Sequence, residues 1–244
     1  DAFYNLFKNC TTIIQVSETF LPATILGTWC YEQMFYGCTS LTTAPELPAN
    51  TLASYCYRDM FYNCTSLTTA PELPATTLAS NCYSGMFKGC TSLTTAPELP
   101  ATTLASNCYS SMFDGCTNLT TAPELPANTL TDGCYSNMFY NCSKLNYIKM
   151  LATNISAIHC LSNWLRGVSS TGTFVKNPAM TSLPTVTGGI PSGWTVYNDG
   201  EEPGGTGKIV NHGVITTSKP QFILTFEYPV ATDYLEVSCG DVVF

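Results

Sequence analysis

Four glutamates recur at a fixed distance and are the most regular set of potentially reactive side chains in the chain. They are Glu46, Glu72, Glu98 and Glu124, each 26 residues from the next. Two carboxylates can act as general acid and general base only if different surroundings separate their pKa values, and these four share one sequence context. A calcium ion needs six to eight oxygen ligands, and the single carboxylate of each repeat cannot supply that number. The pattern favours a solvated acidic row and predicts no catalytic or metal site.

Cysteine is the second recurring reactive residue, with 13 copies in 244 residues. Two series advance by 26 residues at every step: Cys30, Cys56, Cys82, Cys108, Cys134 and Cys160, and Cys38, Cys64, Cys90, Cys116 and Cys142. Cys10 joins the second series after a step of 28, and Cys239 lies outside both. A period between 20 and 50 residues is typical of solenoids. The chain starts inside a repeat, so we expect further repeats to precede it.

The first half of each repeat predicts a short α-helix. In the second clear copy its apolar residues follow at helical steps; they are Leu52, Cys56, Met60, Phe61 and Cys64. The residue before the second-series cysteine is always glycine or asparagine, at Asn9, Gly37, Asn63, Gly89, Gly115, Asn141 and, in a last degenerate turn, Gly167. Both residue types tolerate the left-handed backbone that closes a helix. Each helix is therefore predicted to end there.

The second half, Thr39–Pro48 in the first clear copy, predicts an extended segment with Leu41, Ala44 and Leu47 facing inward. A proline recurs within it, at Pro45, Pro71, Pro97 and Pro123. Proline donates no hydrogen bond to a strand ladder, so we expect a parallel strand of about three or four residues that ends before the proline. Stacked repeats would place equivalent residues roughly 5 Å apart.

Each cysteine series becomes a buried column in such a stack. Disulfides along a column are one interpretation, because Cα atoms at that separation allow them. Stacked Cβ atoms would also lie near ~5 Å, whereas a disulfide prefers ~3.8 Å, and cysteine packs well as a small buried hydrophobe. Free thiols are therefore favoured. No Cys-x-x-Cys pair occurs and the two histidines follow no repeat, so no metal site is predicted.

The segment Met34–Thr42, with copies from Met60, Met86 and Met112, resembles the BspA-like leucine-rich repeat of bacterial surface proteins, common in Bacteroidetes. The resemblance covers about residues 1–195, although the units here are longer and carry Pro-Glu where that family has an apolar residue. It implies an α/β solenoid, a right-handed leucine-rich-repeat coil of strand and short helix, here with 26-residue units. It also implies export to the cell surface, adhesion to host matrix proteins or cells, and no catalytic residues.

The end of the chain departs from the repeat. Residues 1–197 are predicted to form the solenoid, with a C-terminal cap over about 161–197 and with Trp164 and Trp194 as lids. The alternative is that both tryptophans are ligand platforms. Residues 198–207 have the composition of a linker. Residues 208–244 predict a small all-β element, either docked on the solenoid or the front of a truncated immunoglobulin-like module.

Charge and missing motifs exclude several classes of protein. The net charge of -8 argues against a nucleic-acid partner, and no stretch approaches the ~18 consecutive apolar residues of a membrane helix. The motifs Gly-x-Ser-x-Gly, Gly-Lys-Ser/Thr, Gly-x-Gly-x-x-Gly and His-Glu-x-x-His are absent. The sequence thus predicts a protein that is not an enzyme and has no cofactor.

Comparison of the copies points to candidate binding residues. The extended segment barely varies, which suits a repetitive ligand such as a glycan, or no ligand. The predicted helix side varies and carries aromatic residues at two positions, Trp29 and Tyr55 at one, and Tyr36, Tyr62 and Tyr140 at the other. Exposed aromatics can stack on sugars or anchor an interface; the alternative is that they only cover the coil. These five and the four glutamates are the candidate binding residues.

The function predicted from the sequence is an extracellular, cell-surface binding or adhesion module. It would contact a host matrix protein, a cell-surface protein or a polysaccharide through its repeat surface. The alternative is a structural spacer or display scaffold within a larger extracellular protein.

Overall fold

The structure is a computed structural model that describes residues 3–181 and 188–201. Successive repeats lie side by side, and isolated parallel bridges join residues 26 apart, such as Thr43 to Thr69 and Thr69 to Thr95. Each repeat has a turn segment of ten residues, such as 54–63, and an extended segment that follows it. The linker beyond Glu201 and the predicted β element of 208–244 lie outside the described residues.

The prediction of a short α-helix in each repeat is wrong. The turn segments consist of consecutive turns, and the one helix among the described residues is a short 3-10 helix, Glu18–Phe20, outside them. A left-handed residue recurs every fourth position; in one segment these are Tyr55 (φ 61°), Asp59 (φ 53°) and Asn63 (φ 55°). The apolar spacing misled because turns that repeat every four residues place side chains on one face much as a helix does.

The backbone hydrogen bonds explain why this conformation is adopted. Alternate N–H groups bond three residues back within the same turn segment, as Met60 does to the Tyr57 carbonyl at 3.2 Å. The N–H groups between them bond to the next repeat, as Phe61 does to the Met86 carbonyl at 2.9 Å. In an α-helix, all of these N–H groups would donate to carbonyls four residues back in the same segment, and none would be left to bond to the next repeat. The turn segment therefore satisfies its own backbone and also joins neighbouring repeats with a regular ladder.

The glycine or asparagine before each second-series cysteine, Cys10 included, has the predicted left-handed backbone, and so has Gly167 before Val168 in the last turn. All seven have positive φ, between 55° at Asn63 and 81° at Gly167. They end a turn segment rather than a helix.

Proline limits strand pairing in the extended segments, as predicted, but the ladder is shorter than expected. Only the isolated bridge at Thr43 precedes Pro45 in the first clear copy. In the fourth copy the bridges Thr121–Tyr147 and Leu125–Met150 enclose three residues on one side and two on the other, which is a one-residue bulge. The extra residue lies in the stretch that contains Pro123, where no ladder hydrogen bond can be donated.

Full strands form where the proline is absent. They are β1 (Tyr147–Met150), β2 (Gly172–Lys176) and β3 (Trp194–Asn198), which make one parallel sheet in the order β1-β2-β3. Tyr147 pairs with Thr173, and Gly172 pairs with Trp194.

The core consists of columns of identical side chains that run through the repeats. The phenylalanine column has ring centroids 5.5 to 5.8 Å apart, through Phe7, Phe35, Phe61, Phe87, Phe113 and Phe139. A parallel tyrosine column has centroids 5.7 to 6.1 Å apart, through Tyr31, Tyr57, Tyr83, Tyr109 and Tyr135. In the extended segment of the first clear copy, Leu41 and Leu47 are buried as predicted. Ala44 is only half-buried, and Ala49 lies in the core instead.

The cysteine columns are free thiols, as favoured from the sequence: all twelve described cysteines are unpaired. The second series is tied into the stack, because each thiol donates to the phenylalanine carbonyl of the preceding repeat at 3.0 to 3.1 Å. The pairs are Cys38–Phe7, Cys64–Phe35, Cys90–Phe61, Cys116–Phe87 and Cys142–Phe113. The described residues contain no cluster of cysteine, histidine or carboxylate groups suited to a metal ion.

Native protein is expected to resist alkylation at these columns. Burial raises the pKa of Cys56 and of Cys90 to about 12, so almost no reactive thiolate forms near pH 8. Mass spectrometry after iodoacetamide treatment should find both residues unmodified in folded protein. In denatured protein that has not been reduced, nearly all cysteines should react. A denatured chain that stays unmodified until it is reduced would contradict the free-thiol columns.

Both tryptophans of the predicted cap are buried. The Trp164 ring packs edge-on against Phe174 with centroids 6.1 Å apart. The Trp194 Nε1–H donates to the Ser169 carbonyl at 2.7 Å. Burial of both rings disfavours their use as ligand platforms, and the cap boundary of 161–197 stays a prediction.

Candidate binding surfaces

The extended segments present the predicted acidic row. Glu46, Glu72, Glu98 and Glu124 are all exposed at equivalent places. Lys149 lies 3.4 Å from Glu124 and 2.9 Å from Asp199. The Lys149–Glu124 contact is the one ion pair among the described residues that involves the row. Three of the four glutamates therefore face solvent in nearly identical surroundings, which gives a uniform acidic face rather than an acid and base pair.

The turn segments present a second surface, which we call the turn face. It consists of the outward side chains of the turn segments, and its first part is a stack of aromatic rings and cations. Tyr36 and Tyr62 are parallel within 4°, with centroids 4.5 Å apart. Lys8 lies 4.7 Å from the Tyr36 ring and Lys88 lies 5.7 Å from the Tyr62 ring, so the pair contacts a cation at each end.

The second part of the turn face contains the other predicted aromatic pair. Trp29 and Tyr55 have ring centroids 6.0 Å apart, and the Arg58 guanidinium lies 5.1 Å from the Tyr55 ring. Arg58 also makes a 2.5 Å ion pair with Glu32, the one buried charged residue in the described chain. This pair fixes the guanidinium beside the aromatic rings.

Polar contacts join the two parts into one surface. Arg58 lies 3.9 Å from Asp59, which accepts a 3.3 Å hydrogen bond from the Gln33 amide. Gln33 in turn accepts a 2.6 Å hydrogen bond from Lys8. Four of the five predicted aromatic residues, Trp29, Tyr36, Tyr55 and Tyr62, thus belong to one network with charged residues from four repeats.

The cations of the turn face are more exposed than their partner carboxylates. The Arg58 side chain is 38% exposed, whereas Glu32 and Asp59 are 4% and 24% exposed. Burial alone would lower the pKa of Lys88, but its 2.9 Å hydrogen bond to Asp114 and the charge of that carboxylate outweigh burial and raise the pKa. Lys88 therefore stays charged, and in each of these ion pairs the cation is the more exposed member.

Tyr140 does not join the other predicted residues. It is half-buried two repeats beyond Lys88 and contacts Arg166 at 5.7 Å. Sequence reasoning missed Arg58, Glu32, Lys8 and Lys88 as site residues. A signal was available, since Lys8 and Lys88 occupy the same repeat position as Tyr36 and Tyr62.

The repeat matches a known family. The family described as BspA type leucine rich repeat region matches in six copies over residues 3–109 and 57–162. The chain belongs to the BspA-type leucine-rich repeat family. Comparisons with curated proteins and with solved structures give no match.

Membership confirms the resemblance drawn from Met34–Thr42 and its copies. BspA-type repeats are consistent with a surface binding or scaffold module and are typically not enzymes. The one helix among the described residues, Glu18–Phe20, has only three residues and cannot span a membrane.

Proposed function

We propose that this BspA-type repeat chain is a non-enzymatic binding module of the bacterial cell surface. It forms a right-handed solenoid that contacts a host matrix or cell-surface protein, or a polysaccharide, through its repeat surface. Family membership supports surface association and binding.

One observation carries the proposal: the frame is constant while the turn face varies. From repeat to repeat the same core columns and the same backbone ladder recur. At one turn-face position, by contrast, the residue changes from tyrosine to lysine to aspartate, at Tyr62, Lys88 and Asp114. A constant rigid frame that presents varied exposed side chains suits recognition, because preorganised contacts cost little entropy on binding.

Binding is tested with the purified chain on arrays of matrix proteins and of glycans. We expect saturable binding to at least one class. Glu72→Gln with Glu98→Gln tests the acidic row, and Trp29→Asn with Tyr62→Lys tests the turn face. Both pairs change exposed or half-exposed side chains and should leave the dichroism spectrum unchanged. A folded chain that binds nothing on either array would contradict the proposal.

A structural spacer is the second candidate function. The observation that favours it is that the turn-face side chains already satisfy one another, from Lys8 through Tyr36 and Tyr62 to Lys88 and Asp114. A spacer would carry neighbouring domains, as the predicted linker of 198–207 and β element of 208–244 suggest. It would keep its role when the turn face is changed, which distinguishes it from the binding module.

A further inference from the structure

We propose that Trp29, Tyr55 and Arg58 form the centre of a binding surface for an acidic segment of a partner protein. This inference rests on the proposed binding function and specifies its surface and its partner. It places the contact on the turn face rather than on the acidic row.

Backbone conformation singles out the two aromatic residues. Their repeat position is left-handed in all six copies, with φ between 54° and 62°; the residues are Trp29, Tyr55, Asn81, Asn107, Gly133 and His159. Asparagine, glycine and histidine suit this conformation, whereas a bulky aromatic residue is an outlier there. Strained residues gather at functional sites. Trp29 is also 44% exposed, so a role in filling the core does not explain why a tryptophan occupies this position.

Ring packing favours a protein partner over a sugar. A sugar ring stacks on an open aromatic face, but Trp29 at 6.0 Å and Arg58 at 5.1 Å both cover the Tyr55 ring. The neighbouring Tyr36 and Tyr62 cover each other at 4.5 Å. Of these three tyrosines, ring edges and phenol hydroxyls are left for contact, beside the Arg58 guanidinium and the 44% exposed Trp29 side chain. Tryptophan, tyrosine and arginine are the residue types enriched at the centres of protein interfaces.

Charge specifies the partner further. Arg58 is held by Glu32 and lies near Asp59, yet it is more exposed than either carboxylate. A guanidinium has five N–H donors, so it can bind an incoming carboxylate while Glu32 keeps it in place. A guanidinium that is already ordered loses little side-chain entropy on binding. The fitting partner segment carries acidic residues beside an apolar side chain that packs against Trp29.

The test is selection from a random-peptide library displayed on phage, against the immobilised full chain, with counter-selection on Trp29→Asn. We expect enriched peptides that combine acidic and apolar residues. Synthetic versions of the enriched peptides should bind to Trp29→Asn, Tyr55→Asn and Arg58→Gln at least tenfold more weakly than to the wild-type chain, a difference of about 1.4 kcal/mol. Asparagine is chosen because it occupies the same position in Asn81 and Asn107, so the fold should be kept and Tm should shift by only about 2–4 °C. Should Arg58→Gln unfold, the two asparagine variants still decide the result.

Asn81→Ala is the matched control from the same position, and it should leave peptide affinity unchanged within experimental error. The inference is overturned if no peptide is enriched, if enriched peptides lack acidic residues, or if they bind the three variants as well as the wild type. Glycan binding that depends on Trp29 would overturn the assignment to a protein partner. Array binding that survives all three substitutions would leave the proposed function standing and remove this surface from it.

Discussion

Phe87→Ala is expected to lower the free energy of unfolding by about 3–5 kcal/mol. Phe87 is fully buried in the middle of its column, with ring centroids 5.7 Å from Phe61 and 5.8 Å from Phe113. Because each repeat contacts only its neighbours, the stability of a stack depends on the interfaces between repeats. One truncation here weakens two of them. Urea unfolding followed by circular dichroism measures the loss.

Phe20→Ala is the matched control. Phe20 is 40% exposed and contacts Phe7 in a tilted arrangement at 5.9 Å, outside the column. A side chain that is exposed and lies outside the column should lose about 1 kcal/mol or less. A loss at Phe87 no larger than the loss at Phe20 would contradict the role of the column in holding the repeats together.

The turn segments show what the sequence could and could not predict about the fold. The repeat frame, the buried columns and the left-handed residue before each cysteine follow from spacing and residue type alone. The helix prediction failed because apolar spacing does not distinguish hydrogen bonds within a segment from bonds to the next repeat. The other left-handed positions carried a signal that went unused, since Asp59, Asn81 and Gly85 are all types that tolerate that conformation.

The extended segments show a similar limit. Proline at Pro45 and its copies correctly indicates that pairing stops early, because its nitrogen cannot donate. The fifth copy of the repeat, Tyr135–Cys160, loses the consensus and with it the proline. It nevertheless contains β1, the first strand with a full ladder. Similarity to a consensus is thus a poor guide to strand length where the consensus itself contains a strand breaker.

The candidate site could be predicted only as a set of positions. Equal spacing puts Trp29 beside Tyr55 and Tyr36 beside Tyr62, and the structure places both pairs together. The links between the pairs run through the side chains of Arg58, Asp59 and Gln33. Those contacts depend on rotamers and on which polar groups meet across repeats, and a one-dimensional pattern does not contain either.

Gly172→Ala is expected to destabilise the last repeats by about 3 kcal/mol, which corresponds to a fall in Tm of about 6–12 °C. Gly172 begins β2, between the preceding repeat and β3. A Cβ atom there would overlap the carbonyl oxygen of Asn146 and would lie 2.7 Å from the Trp194 ring. Backbone cannot give way as a side-chain end can, so β2 would have to move away from β1 or from Trp194. Glycine within a strand often marks such a close approach.

Gly27→Ala is the control, because no atom lies within 4 Å of a Cβ built at Gly27 and its backbone is not left-handed. It should be neutral or slightly stabilising, since alanine restricts the unfolded chain. Tryptophan fluorescence separates the local effect from the global one. In Gly172→Ala the total tryptophan emission, to which the buried Trp164 and Trp194 contribute, should shift toward that of solvent-exposed tryptophan before the circular dichroism signal of the whole stack is lost. Equal Tm values for the two variants would contradict the close packing of β1, β2 and Trp194.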